Sequence, residues 1–177
     1  MNIFYLDLDL KTCAEYHVDK HVVKMPTEAM QIASTALRNL CGTDAIRPMY
    51  AVLYDLPLYR PTHFHHPMVK WAGDSLDHTA YVVDYGIAVA HEYEYRYGRE
   101  ILTMPRLKLV RNFLDALGAR RSAQHMPLCM PPEYKSTDTV SSYRKYYTYA
   151  KAHIHYWTNR PVPPFIAECR GTAAMGD

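Results

Sequence analysis

The strongest constraint on the fold is a helical periodicity that runs from about residue 11 to residue 40. Polar groups recur there at steps of three or four, the spacing that places side chains on one face of a helix. The opposite face carries an apolar stripe of Val18, Val22, Met25, Ala29, Ala33, Ala36 and Leu40. The polar face carries His17, Lys20, His21, Lys24, Glu28 and Gln31. Such a face is either solvated or the wall of a site that needs an amine and a carboxylate together.

Pro26 interrupts this pattern. A proline inside a helix removes one backbone hydrogen bond and clashes with the preceding turn. We therefore expect a break near Met25, with Glu28 in the first turn of a second helix, where the helix dipole favours a carboxylate.

The rest of the chain is also mainly helical in pattern, and proline and glycine mark the boundaries. Residues 2–9 predict a short strand or an extended arm. Helices are expected at 68–97 (as one helix or two), 105–118 and 141–157, with irregular segments at 41–66 and 122–139. Gly98 and Gly118 are placed to end helices. The predicted fold class is mainly α, a single compact helical domain over residues 1–170 with a short extended N-terminal arm, and residues 171–177 form a flexible tail.

Composition narrows the function classes. The net charge of +2 is weaker than the basic footprint of most nucleic-acid-binding domains, although a local basic patch is compatible with it. No run of 18 apolar residues is present, which argues against a membrane partner. The four cysteines are scattered, as expected for free thiols in a cytoplasmic protein. Neither a glycine-rich phosphate loop nor a GxSxG elbow occurs, which argues against P-loop nucleotide hydrolases and α/β-hydrolases.

Several short motifs resemble the pyrimidine dimer DNA glycosylase family of phages and bacteria. His21 and Glu28 have the seven-residue spacing of a histidine and the catalytic glutamate in that family, and Lys24 stands four residues before the glutamate, as in bacterial relatives. Residues 66–71, followed by 85–93, are similar to a second stretch of those relatives. Residues 143–147 are similar to an aromatic and basic segment that contacts DNA in the phage enzyme.

The resemblance implies a DNA glycosylase with possible abasic lyase activity, acting on duplex DNA with a damaged or modified pyrimidine and needing no cofactor and no metal. An amine attacks C1′ of the nucleotide, and a carboxylate, Glu28, acts as acid and base. The family uses the α-amine of residue 2, a small residue, whereas this chain has Asn2. The candidate amines are those of Met1, Asn2 and Lys24. An α-amine has a reference pKa of about 7.7–8.0 against about 10.4 for lysine, so it loses its proton more easily.

A base inside a duplex must be extruded before C1′ is exposed, so the protein needs aromatic platforms and phosphate contacts. The resemblance and the residue types together give two groups of candidate substrate-binding residues. The first group lies beside the glutamate and across the cleft: His17, Lys20, His21, Gln31, His66, Lys70 and Trp71. The second is the C-terminal aromatic and basic segment: Tyr143, Arg144, Lys145 and Tyr147. We expect the protein to act as a monomer.

Other interpretations remain open at the level of sequence. Lys24 and Glu28 also have the spacing of an ordinary surface ion pair, and residues 143–151 that of a helix with one core face and one solvated face. The same fold could serve a DNA base-modifying transferase or a non-catalytic nucleic-acid-binding module. A metal enzyme is a further alternative, because histidines at i and i+4 can chelate zinc or iron. Its ligands would be His17 and His21 with His63, His65 and His66, or with His91 and Glu92.

Overall fold

The computed structural model describes residues 2–40 and 55–173. Seven α-helices are present in these ranges: α1 (Leu10–Glu15), α2 (Asp19–Leu40), α3 (Pro67–Ala72), α4 (Leu76–Tyr97), α5 (Met104–Ala116), α6 (Thr139–Ala150) and α7 (Pro164–Ala173). Short 3-10 helices span Pro132–Tyr134 and Ala152–Ile154. No strand occurs in the same ranges, and the prediction of a mainly α fold is confirmed.

Helix α2 is continuous through Pro26, and the predicted break near Met25 is wrong. The apolar stripe is buried on both sides of the proline, with Met25 and Ala29 in the core, so packing favours one uninterrupted helix over the local cost of Pro26. Glu28 consequently lies in the interior of the helix rather than in a first turn. His17 precedes α2 and lies in the turn that joins it to α1.

Two helix ends follow the prediction and one does not. Gly98 ends α4 in the left-handed conformation at φ 66°, and Gly118 adopts φ 74° just after α5. The predicted helix 141–157 is wrong at its end, because α6 stops at Ala150. Helix α7 then starts at Pro164, a residue whose missing N–H costs nothing at a first helical position. Because α7 continues to Ala173, the predicted tail 171–177 is helical in its first three residues; residues 174–177 and 41–54 lie outside the described ranges.

Helices α2 and α4 are the longest and pack against one another at very short range. Gly86 of α4 faces Ala29 of α2 and Leu107 of α5. A Cβ atom at Gly86 would lie only 2.8 Å from Cβ of Ala29 and 3.1 Å from Cδ2 of Leu107. The glycine therefore sets how closely α4 approaches α2, one residue away from Glu28.

The N-terminal arm is irregular, and its apolar residues Ile3, Phe4, Tyr5 and Leu6 are all buried. Arg144 of α6 fixes the arm. Its Nε donates to the carbonyl of Leu6 at 2.7 Å, and one terminal nitrogen pairs with the Asp7 carboxylate at 2.7 Å. The arm thus lies inside the core between α2 and α6 and does not extend along the surface.

We expect Gly86→Ala to lower the free energy of unfolding by about 1 kcal/mol, measured by urea denaturation with far-UV circular dichroism. Overpacking a closed contact costs about 1–3 kcal/mol, and the better helix propensity of alanine returns up to about 1 kcal/mol. Gly73→Ala is the matched control, since its Cβ would lie 3.4 Å from Cβ of Asn39 at a permissive φ of −82°. Equal stability of both variants would contradict the close contact.

Candidate functional site

Glu28 joins α2 to the N-terminal arm. Its Oε1 lies 2.8 Å from Nζ of Lys24, and its Oε2 accepts a hydrogen bond of 3.1 Å from the backbone N–H of Asn2. The Glu28 side chain is only 11% exposed, whereas the Lys24 side chain is 60% exposed. The structure therefore brings together three predicted catalytic residues, Asn2, Lys24 and Glu28. Met1, the fourth, lies outside the described residues.

The side chain of Asn2 is held from two sides. Its Nδ2 donates to the carbonyl of Cys129 at 3.0 Å, and its Oδ1 lies 3.3 Å from the hydroxyl of Tyr143. The same hydroxyl lies 2.9 Å from the carbonyl of Pro127 and accepts from the N–H of Cys129 at 3.4 Å. Oδ1 of Asn2 also accepts from the N–H of Ile3 at 2.9 Å. Together these contacts form a clamp that fixes the direction of the Asn2 backbone nitrogen toward Glu28.

His66 and its loop lie beside this clamp. The loop is attached to α2 through Thr35, which is two turns beyond Glu28: Oγ1 of Thr35 accepts from the N–H of Thr62 at 3.0 Å. At its other end, the backbone of Met68 contacts the thiol of Cys129. Burial lowers the pKa of His66, and the nearby Glu28 carboxylate acts in the opposite direction. His66 therefore lies within electrostatic range of Glu28.

His17 is fully buried, and both of its ring nitrogens are hydrogen-bonded. Nδ1 lies 2.7 Å from the carbonyl of Cys13, which only accepts, so Nδ1 carries the proton. The hydroxyl of Tyr85 then donates to Nε2 at 2.7 Å. Burial lowers the pKa of His17 to about 4, so the ring is neutral at neutral pH.

His21 is buried one turn further along α2. Its Nδ1 lies 2.8 Å from the hydroxyl of Tyr147, which itself accepts from the N–H of Val18 at 2.9 Å. Phe4 of the arm stacks on the imidazole with ring centroids 4.3 Å apart. Burial lowers the pKa of His21 to about 2, and the neighbouring His17, Lys151 and Lys24 add to that effect. His17 and His21 are buried, and both rings lie against Phe4 of the arm.

The C-terminal candidates divide between core and surface. Tyr143 and Tyr147 are fully buried. Arg144 is committed to the arm, and its guanidinium also lies over the rings of Tyr16 and Phe165. Lys145 is exposed, and its Nζ donates to the carbonyl of Glu133 at 2.7 Å. Lys145 is thus the member of this predicted group that reaches the surface most fully.

The remaining candidates on α2 and α3 are mostly at the surface. Lys20 and Lys70 are exposed, and Gln31 is half-buried. Trp71 is buried: its Nε1 donates to the carbonyl of Gln124 at 2.8 Å, and its ring stacks on His78 at 4.5 Å. The expectation of a direct substrate contact therefore does not fit five predicted residues whose side chains are buried and hydrogen-bonded in the core: His17, His21, Trp71, Tyr143 and Tyr147.

Several side chains considered as metal ligands already have other partners. The ring nitrogens of His17 bond to a carbonyl and a hydroxyl, as described above. His91 is exposed and lies 3.8 Å from a Glu94 carboxylate oxygen. Glu92 is held by Arg96 at 2.6 Å and by Arg160 at 2.9 Å. Over residues 2–40 and 55–173, no three His, Cys, Asp or Glu side chains are grouped so as to hold a metal ion.

A cavity of about 740 Å³ lies on another face of the protein, between α1 and α4. Its walls are partly apolar, with Ile87 and Ala88, and its charged groups include Glu15 and Arg160. None of the predicted catalytic residues lines it. Its Arg160 is already paired with Glu92.

No protein-family model, curated protein or solved structure matches this chain. Within the described ranges, no helix is both long enough and apolar enough to cross a membrane.

Three residues around the site carry no sequence pattern that points to it: Thr35, Pro127 and Cys129. Pro127 and Cys129 contribute backbone carbonyls, which carry no side-chain signal. Thr35 contributes a hydroxyl next to that of Ser34, and the sequence predicts the proline-punctuated loop that they hold only as irregular.

The buried neutral histidines predict acid sensitivity. Their pKa values in the folded state, about 4 and about 2, lie below the ordinary value of 6.5. The unfolded chain therefore binds more protons, and the stability present above pH 6.5 is lost as the pH falls toward 4. We expect a slope of up to about 1.4 kcal/mol per pH unit for each histidine.

Urea denaturation between pH 7 and 5 measures this slope. His17→Gln should flatten it, whereas His153→Gln, at an exposed position, should not. NMR titration of the imidazoles in the folded protein is the second readout. Protonation of either buried ring near pH 6 would contradict the assignment.

Proposed function

We propose that this protein is a DNA glycosylase with abasic lyase activity on a damaged or modified pyrimidine in duplex DNA. The observation that carries the proposal is the 3.1 Å contact between the backbone nitrogen of Asn2 and Oε2 of Glu28. Removal of Met1 would convert this nitrogen into a free α-amine already in contact with a carboxylate. An amine and a carboxylate in contact are the two groups that this chemistry requires.

The proposed reaction begins when the lone pair of the neutral amine attacks C1′ of the extruded nucleotide. The bond from C1′ to the base breaks, and the base leaves with the electron pair and takes a proton from solvent water. The C1′–O4′ bond then opens, O4′ takes the amine proton, and an imine forms between C1′ and the protein. Loss of a proton from C2′ expels the 3′ phosphate by β-elimination, and water hydrolyses the imine to regenerate the amine.

Glu28 has two roles in this scheme. It accepts the proton of the attacking amine and returns it to O4′, and its negative charge stabilises the positive sugar that develops at C1′. Lys24, held on the other carboxylate oxygen at 2.8 Å, orients Glu28 and offers a positive charge to the DNA phosphate. We further propose that the protein acts in the cytoplasm as a monomer.

Lys24 is the alternative nucleophile, because its Nζ contacts the same carboxylate. The α-amine is favoured over Lys24 by its lower reference pKa, which leaves a larger neutral fraction near pH 7. The two cases differ in the position of the covalent adduct.

Borohydride trapping tests the proposal on duplexes that contain a thymine dimer, a modified pyrimidine or an abasic site. We expect a covalent adduct that peptide mass mapping places on residue 2. Glu28→Gln should slow adduct formation by about a hundredfold or more, because a positioned acid–base group contributes about 10²–10⁴-fold. An adduct on Lys24 would transfer the nucleophile role to that residue.

Glu100→Gln is the matched control, since Glu100 forms an exposed ion pair with Lys108 at 3.2 Å, at the surface before α5. Absence of an adduct on every substrate, with unchanged DNA, would overturn the lyase proposal. Binding without any adduct would indicate a non-catalytic module.

Tyr143→Phe tests whether the clamp on Asn2 positions the amine. Loss of the hydroxyl removes the contacts to Oδ1 of Asn2 and to the carbonyl of Pro127. A hydrogen bond is worth about 0.5–1.5 kcal/mol, so the single-turnover rate of adduct formation should fall up to about tenfold while DNA affinity stays unchanged. Tyr156→Phe, at an exposed position, is the control. Equal rates for the two variants would show that Tyr143 does not position the amine.

A further inference from the structure

Phe64 is an apolar side chain held out at the surface. It is 47% exposed and stands in a short turn between two exposed histidines, His63 and His65. His63 adopts φ 54°, the left-handed backbone region that non-glycine residues rarely occupy. Single exposed apolar side chains are common at protein surfaces, but this one is presented by a backbone conformation that is itself unusual.

The turn is anchored at both ends. Before Phe64, the carbonyl of Thr62 accepts from Oγ1 of Thr35 at 3.2 Å. After it, the N–H of His66 donates to the carbonyl of His63 at 2.9 Å, and the His66 ring caps α3 by accepting from the N–H of Met68 at 3.1 Å. The ring of Phe64 is therefore presented from a fixed loop.

This loop lies beside the Glu28 site. Thr35, which holds Thr62, is on α2 two turns beyond Glu28, and the backbone of Met68 contacts the thiol of Cys129, whose carbonyl holds Asn2. The turn at residues 63–65 thus lies between two attachments, one to α2 beyond Glu28 and one to Cys129 of the Asn2 clamp.

The surroundings of Phe64 suit a polyanion. Residues 56–73 contain no aspartate or glutamate. Arg60 and Lys70 of this segment are exposed, as is Lys24 beside Glu28. An exposed aromatic ring in a segment that has basic side chains and no carboxylates is a combination suited to bases and phosphates.

We propose that Phe64 is a wedge that inserts into the base stack of duplex DNA and fills the space left by the nucleotide extruded toward Glu28. This inference rests on the proposed function. Extrusion requires unpairing and unstacking of a base, and an apolar side chain inserted at the vacated step offsets that loss. A wedge of this kind requires duplex DNA as the substrate, because a single strand offers no continuous base stack for Phe64 to enter.

Fluorescence of 2-aminopurine tests the wedge without catalysis. The probe is a duplex with a tetrahydrofuran abasic analogue and 2-aminopurine in the adjacent position, bound by the Glu28→Gln protein. We expect binding to raise the fluorescence, and Phe64→Ala to abolish most of that rise and weaken duplex affinity about tenfold. Phe64→Leu should retain most of both. Affinity for the single strand with the same analogue should change less than about twofold, because stacking on a flexible strand needs no insertion.

Leu102→Ala is the matched control, because Leu102 is 93% exposed in the segment before α5. If Phe64→Ala behaves like Leu102→Ala on the duplex, or if wild-type binding leaves the fluorescence unchanged, the wedge is overturned. Equal losses on duplex and single strand would indicate a stacking platform and also overturn it. Failure of the proposed chemistry has a different signature, in which borohydride traps no adduct while the fluorescence response remains.

Discussion

The Glu28 site depends on the burial of the N-terminal arm. Full burial of Ile3 and Leu6 contributes about 1.5–3 kcal/mol for each side chain, and a shift of the arm by one residue would forfeit that gain. The buried backbone groups of Leu6 are also hydrogen-bonded. Its carbonyl accepts from Nε of Arg144, and its N–H donates to the sulfur of Cys13. The arm therefore has a fixed register. That register places the Asn2 nitrogen at Glu28, a residue 26 positions away in the chain.

The neutral imidazole of His21 packs against Phe4 and helps to hold the N-terminal arm in place. His21 stacks on Phe4 and receives a hydrogen bond from Tyr147, so it needs no proton of its own on Nδ1. A charged ring there would be deprived of water, with Lys24 and Lys151 nearby. Lys24 carries a positive charge that contacts Glu28 directly. Residues that share one face of a helical pattern thus have different tasks, because the depth of burial changes along that face.

Local features of the sequence were sufficient for part of this arrangement. The Lys24–Glu28 contact follows from i,i+4 spacing, and the end of α4 follows from Gly98. The uninterrupted course of α2 through Pro26 could not be predicted from the sequence, because tertiary packing overrides the local preference of proline to break a helix. The clamp on Asn2 could not be derived either, since it joins residue 2 to a carbonyl 127 residues away. The helical pattern placed His17 on the polar face, whereas the structure buries it in the core, because its partner Tyr85 lies 68 residues further on.

Glu28 and Glu92 are both buried carboxylates, but the groups that hold them differ in kind. Glu92 is enclosed by the guanidinium groups of Arg96 and Arg160, which hold both of its oxygens through rigid, directional hydrogen bonds. Glu92 therefore stabilises the fold. Glu28 instead contacts a main-chain nitrogen and the ammonium group of Lys24, whose flexible side chain is mostly in solvent. An exposed lysine is released at little cost, because such pairs contribute at most about 1 kcal/mol. In the proposed reaction Lys24 turns toward a DNA phosphate at this small cost, while Oε2 of Glu28 remains aligned with the nitrogen of Asn2.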